Sequence, residues 1–494
     1  MSMFGFARAS ALYMLSNILP KISAVFLVPI YVRVLSAAEY GTIALLVTLV
    51  GLLTMVYRLG MDGSLMRLHF DSSADDRGGI YGTATLFTLG VAGVSTVVLA
   101  AAGPFLFGLF PGDIPFFPLG LLALLIALVS SIGFVPSVFF RATRQASKFA
   151  AFNIGGFVLT SAMVVLLLVV WRFGTAGVLF GQLIGGAILL VIALWVVLRL
   201  GRLHLDRKLL GEMLSLGLPL LPHAVSGWAL RLMDRWLIGL FIGLPAAQAL
   251  AAIGTYSLGY QIGSVVTILM ASFNAAWAPY FYGIAERQAA PRLYRHMTTV
   301  VLAGVFVVAV GLSATSREIV QVVARPGYEA AADVISVVAL GAVFYAFYTM
   351  FVTIVFVAKR TRRLALLTTA SVFVNLVLNA LLIPTLGVVG AAWATVGSYA
   401  FFAAVTYLYA RRMYPMSVDG VRLFLTALLG IAVAMGARAL QPTDLIVSIA
   451  LHFLISVGYA GVVLLVLVQP MRQLLRLRGE IRQIGAADRL GTAV

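Results

Sequence analysis

The sequence predicts an all-α integral membrane protein with fourteen transmembrane helices, arranged as two homologous six-helix lobes plus two C-terminal helices. Of 494 residues, 62% are hydrophobic and only 10% charged, and the mean hydropathy is +1.06. Most of such a chain must be solvated by lipid rather than water. The layout also repeats at an offset of 213 residues. Tyr40-Gly41-Thr42 answers Ile253-Gly254-Thr255, and Gly174-Thr175-Ala176-Gly177 answers Gly387-Val388-Val389-Gly390. A duplicated membrane bundle is a mark of secondary transporters, whose substrate site lies where the repeats meet.

Apolar runs of about 20 residues, bounded by charges or by Gly and Pro clusters, place the spans in order. They fall at 9–34, 41–66, 79–102, 117–140, 148–171, 175–199, 213–241, 253–284, 297–315, 333–357, 363–384, 387–410, 421–440 and 445–469. The runs group into a lobe at 1–200, a second lobe at 201–412, an added helix pair within 413–470 and a basic tail at 471–494. The N-terminus carries Arg8 but no long polar n-region and no small-residue cleavage site. It therefore reads as part of the first helix, not as a removed signal peptide.

The excess of 34 Lys and Arg over 17 Asp and Glu is a topology signal. One set of alternate loops, beginning at the N-terminus, holds 25 of the basic residues, while the other holds only Arg33, Arg172, Arg317, Arg325 and Arg438. That bias predicts a multi-pass membrane protein with both termini cytoplasmic. It assigns the charge to lipid headgroups and leaves nucleic acid without a role. The chain has no cysteine, which excludes disulfides and thiolate metal sites.

Four basic residues remain inside predicted helices, Lys21, Arg58, Arg231 and Arg235, accompanied by Asp62 and Asp234. A charge at mid-bilayer costs about 2.5 kcal/mol or more, so each is expected to face a partner or a wet cavity. Lys21 lies about 18 Å of helix from either end of its span, too far for easy snorkelling. It shares a face with Ser10, Tyr13, Asn17 and Pro20. It reads as a substrate or coupling residue, or as the structural partner of an acid such as Asp234, its counterpart at the 213 offset. Arg58 and Asp62, at i and i+4, read either as cavity residues or as an intrahelical ion pair near the cytoplasmic end. His223, Gly227, Arg231 and Asp234/Arg235 recur every three to four residues after Pro219 and Pro222. Arg231 is the substrate candidate, His223 a candidate for coupling, and Asp234 with Arg235 a structural or gating pair near the outer end. Ser257, Gln261 and Ser264 make a milder polar face, for packing or cavity lining. Asn153, Asn274, Asn375 and Asn379 read as helix-packing residues, and His69 and His452, at span edges, carry little information.

No nucleotide-binding, serine-hydrolase or metalloprotease motif is present, and no paired carboxylates stand on an extended outer loop. Enzyme function is not expected.

The run Leu35-Ser36-Ala37-Ala38-Glu39-Tyr40-Gly41, followed by Gly60-Met61-Asp62-Gly63-Ser64 and Arg67, resembles the N-terminal signature of Wzx-type polysaccharide biosynthesis flippases of the MOP exporter superfamily. Leu218-Pro219, Asp234-Arg235 and Gly254-Thr255-Tyr256-Ser257-Leu258 are similar to the start of that family's second half. The resemblance implies a flippase for an undecaprenyl-diphosphate-linked oligosaccharide, working by alternating access of two lobes. It implies a cationic central cavity formed by Lys21, Arg58 and Arg231, and a groove for the polyprenyl tail on helices thirteen and fourteen. A diphosphate crossing about 30 Å of hydrocarbon needs a positive, wet path. The implied partners are membrane lipids, the lipid-linked substrate and polysaccharide polymerase or assembly proteins. A lipid II flippase and a cation-coupled multidrug exporter are the alternative readings. No cofactor is implied beyond a coupling ion, H+ or Na+, for which Asp62 and Asp234 are the available acids.

Overall fold

The computed structural model describes residues 16, 19, 27–71, 77–200, 203–358, 360, 362–415, 417–440 and 442–491. Among them there is no strand, and twelve helical stretches are long and apolar enough to cross a membrane. The chain is a multi-pass membrane protein. Two compact units are distinguished, one of residues 1–258 with 379–388 and the other of residues 259–378 with 389–494.

In the first unit, helix α1 occupies residues 27–34 and α2 spans Ala37–Arg58. Ser36 explains where α2 begins. Its hydroxyl accepts from the Glu39 amide at 3.3 Å while the Glu39 carboxylate accepts from the Ser36 amide at 2.8 Å, a reciprocal capping box. Leu59 in the left-handed region and Gly60 (φ 80°) end α2, and α3 (Met61–Asp71) resumes the span at a bend. Then follow α4 (Arg77–Gly108), α5 (Leu121–Ser130), α6 (Phe134–Ala142), α7 (Ala146–Val165) and α8 (Gly174–Arg199).

The expected span at 213–241 is divided. Helix α9 (Arg207–Gly217) runs into a single 3₁₀ turn at Leu218–Leu220, where Pro219 supplies no amide, and then into α10 (Leu221–Leu232). Met233 separates α10 from α11 (Asp234–Phe241). The apolar stretch long enough to span is Arg207–Leu232, so Asp234 lies beyond it. Helix α12 (Ala246–Gly263) closes the first unit at residue 258.

The second unit continues with α13 (Val265–Tyr282), α14 (Ala290–Ala314), the short α15 (Ser316–Val323) and α16 (Ala331–Val357). Helix α17 (Arg362–Ala410), α18 (Gly420–Ala439) and α19 (Leu445–Gly491) follow. Its core is a packed cluster from α13, α14, α16 and α18 that includes Trp277, Phe281, Tyr294, Phe306, Met350 and Leu423. Trp277 and Phe281 stack at 5.4 Å. Buried threonines such as Thr349 and Thr353 satisfy their hydroxyls on the carbonyl one turn back, the local solution that lipid-solvated helices require.

The runs expected separately at 363–384 and 387–410 are two helical segments of α17 that meet at a kink, where Gly387 (φ 58°, ψ −137°) departs from helical geometry. Its counterpart Gly174 also adopts positive φ (57°). Left-handed geometry costs an ordinary side chain about 1–2 kcal/mol, which explains glycine at both places.

Candidate functional site

The repeated glycines mark a reciprocal contact. A Cβ on Gly41 would lie 1.9 Å from the Leu250 carbonyl oxygen and 2.9 Å from the Gly254 amide nitrogen. One on Gly254 would lie 1.9 Å from the Ala37 oxygen and 2.9 Å from the Gly41 nitrogen. Leu250 stands 213 residues after Ala37, as Gly254 does after Gly41. At this crossing each glycine therefore faces the backbone of the other's segment, at positions 213 apart in sequence. Gly60 and Gly217 make a second close crossing, in which a Cβ on Gly60 would lie 2.3 Å from the Gly217 oxygen.

The first unit also buries charged side chains. Asp234 is fully buried. Its Oδ2 accepts from the Tyr256 hydroxyl at 2.6 Å, and its Oδ1 from the Asn379 amide at 3.0 Å. A buried carboxylate is tolerated only when paired and hydrogen-bonded, so Tyr256 and Asn379 are part of how this acid is held. Arg235, also buried, donates from Nη1 to the Arg231 carbonyl at 3.1 Å, and its guanidinium lies 5.8 Å from the Tyr256 ring centroid. The Arg231 side chain is exposed. His223 and Gly227 precede it on α10, His223 half-buried and Gly227 with no atom within 4 Å of where a Cβ would be.

Arg58 is committed to backbone. The expected span at 117–140 is interrupted at residues 131–133, between α5 and α6, which frees carbonyls at the end of α5. Arg58 donates from Nε to the Ser131 oxygen at 2.9 Å and from Nη2 to the Ser130 oxygen at 3.0 Å. Its Nη1 lies 3.3 Å from Asp62 Oδ1, and the guanidinium is 5.2 Å from the Phe134 ring centroid. The alternatives of cavity residue and ion pair thus omit a third role, capping a helix break. Lys21 and Asn17 lie outside the described residues.

In the second unit Gln261 is half-buried and its carbonyl accepts from Ser264. An aromatic cluster lies nearby in sequence and across helices, with Tyr260 and Tyr399 hydroxyls 3.4 Å apart and Tyr348 stacked on Phe402 at 3.9 Å. The asparagines divide. Asn274 accepts from Thr353 and Asn375 donates to Ser398, as packing residues do, whereas Asn379 reaches Asp234.

His452 corrects the sequence reading. It is buried and its Nδ1 lies 2.7 Å from Glu318 Oε1, while Nε2 donates to the Ala437 carbonyl at 2.8 Å. Ser448 donates to the same glutamate oxygen. Burial pushes the Glu318 carboxyl up, but the hydrogen bonds from Ser448, its own amide and His452 outweigh it and hold the group below the usual range. His69 is likewise buried, against the Tyr81 hydroxyl at 2.8 Å. Span-edge position hid both, because their partners are fixed by tertiary packing.

Next to this cluster the second unit carries an apolar groove of about 240 Å³, lined by Phe306, Val310, Val337, Leu340, Trp393 and Ile431 among others, with Arg438 among its lining residues. Arg438 pairs with Asp333.

A profile of the family described as polysaccharide biosynthesis protein matches residues 30–333. The chain belongs to this polysaccharide biosynthesis family. No curated protein matches it by sequence. This family member is similar in fold to the lipid II flippase MurJ in an inward closed conformation, with a TM-score of 0.70 at 14% identity, over 92% of this chain and 98% of that one. It is also similar to an inward-facing multidrug resistance MATE family transporter of the MOP superfamily, with a TM-score of 0.60 at 15% identity over 82% and 94% of the two chains. A mutant of the Vibrio cholerae MATE transporter VcmN gives a TM-score of 0.57 at 13% identity, over 83% and 98%. The fold of this polysaccharide biosynthesis protein is that of MOP transporters.

Proposed function

We propose that the protein flips an undecaprenyl-diphosphate-linked oligosaccharide from the cytoplasmic to the periplasmic leaflet of the bacterial inner membrane by alternating access. The observation that carries this reading beyond the family is the groove in the second unit. It is apolar along most of its length and has a guanidinium, Arg438, in its wall, which suits an isoprenoid chain leading to a charged headgroup. The diphosphate follows a cationic path of Lys21, Arg58 and Arg231. Arg58 has three of its five N–H groups engaged by Ser130, Ser131 and Asp62, which leaves two to meet a phosphoryl oxygen. Asn17, His223 and Gln261 line the path, and Arg235 sets the orientation of its end. Asp62 and Asp234 are the acids available to a coupling ion, H+ or Na+, and Asp234 is the buried one, with Tyr256 and Asn379 among its partners.

The architecture that serves this is fourteen spans. The twelve stretches among the described residues are completed by the run at 9–34 and by division of 363–410 at Gly387. Lobes at 1–200 and 201–412, the pair within 413–470 and the tail at 471–494 follow, with both termini cytoplasmic. Lipid II, which shares the lipid diphosphate, is the second reading, favoured by the likeness to MurJ. The test is the sidedness of lipid-linked oligosaccharide in cells depleted of the protein. Accumulated inward-facing precursor that wild type clears, and Lys21→Ala or Arg231→Ala does not, is the expected result. Normal sidedness on depletion overturns the proposal.

A further inference from the structure

The second unit holds a further cavity besides the apolar groove. It measures about 640 Å³ and lies where the start of α14, the start of α18 and the middle of α19 come together. Its wall includes Arg292, Arg295 and His296 from α14, Asp419 and Arg422 at the start of α18, and Gln473 from α19. Three guanidinium groups and one carboxylate belong to its lining. Asp419 Oδ2 accepts from Arg422 Nη1 at 2.9 Å and lies 3.8 Å from Arg295 Nη2, so a single oxygen is shared by two arginines. Arg422 donates its other terminal nitrogen to Gln469.

Donors remain unmet. Arg295 Nε is a buried donor with no hydrogen-bond partner among the described residues, and the ring nitrogen Nδ1 of His296 is likewise buried without one among them. Leaving a buried donor such as Arg295 Nε unsatisfied costs about 1–3 kcal/mol, more for a charged group, so an acceptor placed there is favoured. Two helices of 20 or more residues, α14 and α18, also begin here, and each brings the positive end of its dipole and its free amides. Positive charge, surplus donors and helix N-termini together select a compact anion with several acceptor oxygens.

We propose that this cavity binds the phosphoryl headgroup of a lipid. The side of the cavity agrees with a leaflet source, since Arg287, Arg411 and Arg412, in the adjoining loops, belong to the same basic set that defines the cytoplasmic face. Asp419 holds Arg295 and Arg422 in place while the site is empty, and an arriving phosphoryl group takes the free edges of both. The inference rests on the cavity's own residues, and its failure leaves the transport reading as it stands.

The test is equilibrium binding to the full-length protein in detergent with three probes: inorganic pyrophosphate, dioctanoyl phosphatidylglycerol and farnesyl diphosphate. Saturable binding of at least one lipid probe is expected, weakened about tenfold or more by Arg295→Gln and by Arg422→Gln. Gln473→Glu keeps both arginines and their pairing with Asp419, and it is expected to weaken binding by adding a negative charge to the wall. Arg199→Gln, in the first unit, is expected to bind as wild type does. Preference for farnesyl diphosphate assigns the site to a diphosphate-linked lipid, equal binding of both lipids assigns it to bulk anionic phospholipid, and pyrophosphate binding as tightly as either shows the headgroup alone suffices. Each of these supports phosphoryl recognition. No saturable binding by any probe, or binding that all three cavity variants leave within about twofold, overturns it.

Discussion

Gly41→Ala and Gly254→Ala test whether the repeat copies meet where their glycines cross. In either variant the new methyl carbon begins 1.9 Å from a carbonyl oxygen of the opposing helix, Leu250 for Gly41 and Ala37 for Gly254. Carbon and carbonyl oxygen approach no closer than about 3.3 Å, so the two backbones must part by about 1.4 Å. No flexible side chain can yield instead, because the obstructing atoms are backbone. Overpacking of this kind costs about 1–3 kcal/mol, and separation also forfeits the close contacts along both helices. At about 2 °C of melting temperature per kcal/mol for a unit of this size, each single variant is expected to melt about 4 °C lower in detergent. The double variant decides the matter. Because the contact is reciprocal, the separation forced by the first methyl already admits most of the second, so the double variant is expected to lose only slightly more than either single one. Single variants that melt with wild type, or a double loss equal to the sum of two full single losses, would refute the reasoning.

Arg58→Lys keeps the charge but not the planar fork that reaches the Ser130 and Ser131 carbonyls together, so it is expected to lower thermal stability nearly as much as Arg58→Gln, by about 1–3 kcal/mol. If Lys restores wild-type stability, the capping role is wrong. Glu318 carries a pH dependence of definite sign. Its folded pKa is depressed, so the stability it contributes is fully present above the ordinary glutamate value of about 4.3 and is lost as pH falls through the lower folded value. Melting curves between about pH 3 and 7 are therefore expected to fall more steeply at the acid end for wild type than for Glu318→Gln, and superimposable acid limbs would remove the claim.

Hydropathy and charge alone determined the class of this protein and most of its helix positions. A run of about 20 apolar residues has one stable solution in lipid, because every backbone amide must be satisfied within its own segment. The family signature was legible for reasons now visible: Ser36 and Glu39 form the cap of α2, and Gly41 and Gly60 admit close helix crossings. Gly174 and Gly387 share a positive φ that only glycine takes without strain. What the linear pattern does not encode is the rotation of each helix about its axis. That rotation put Tyr256 and Asn379 on Asp234, gave Arg58 to the carbonyls of a helix break, and joined Glu318 to His452 across 134 positions of sequence. It also set the kink at Gly387, which departs from helical geometry and divides 363–410 into two helical segments. Lipid solvation is a property of each segment by itself, whereas polar partners inside a membrane are chosen between segments, and only the tertiary structure supplies that choice.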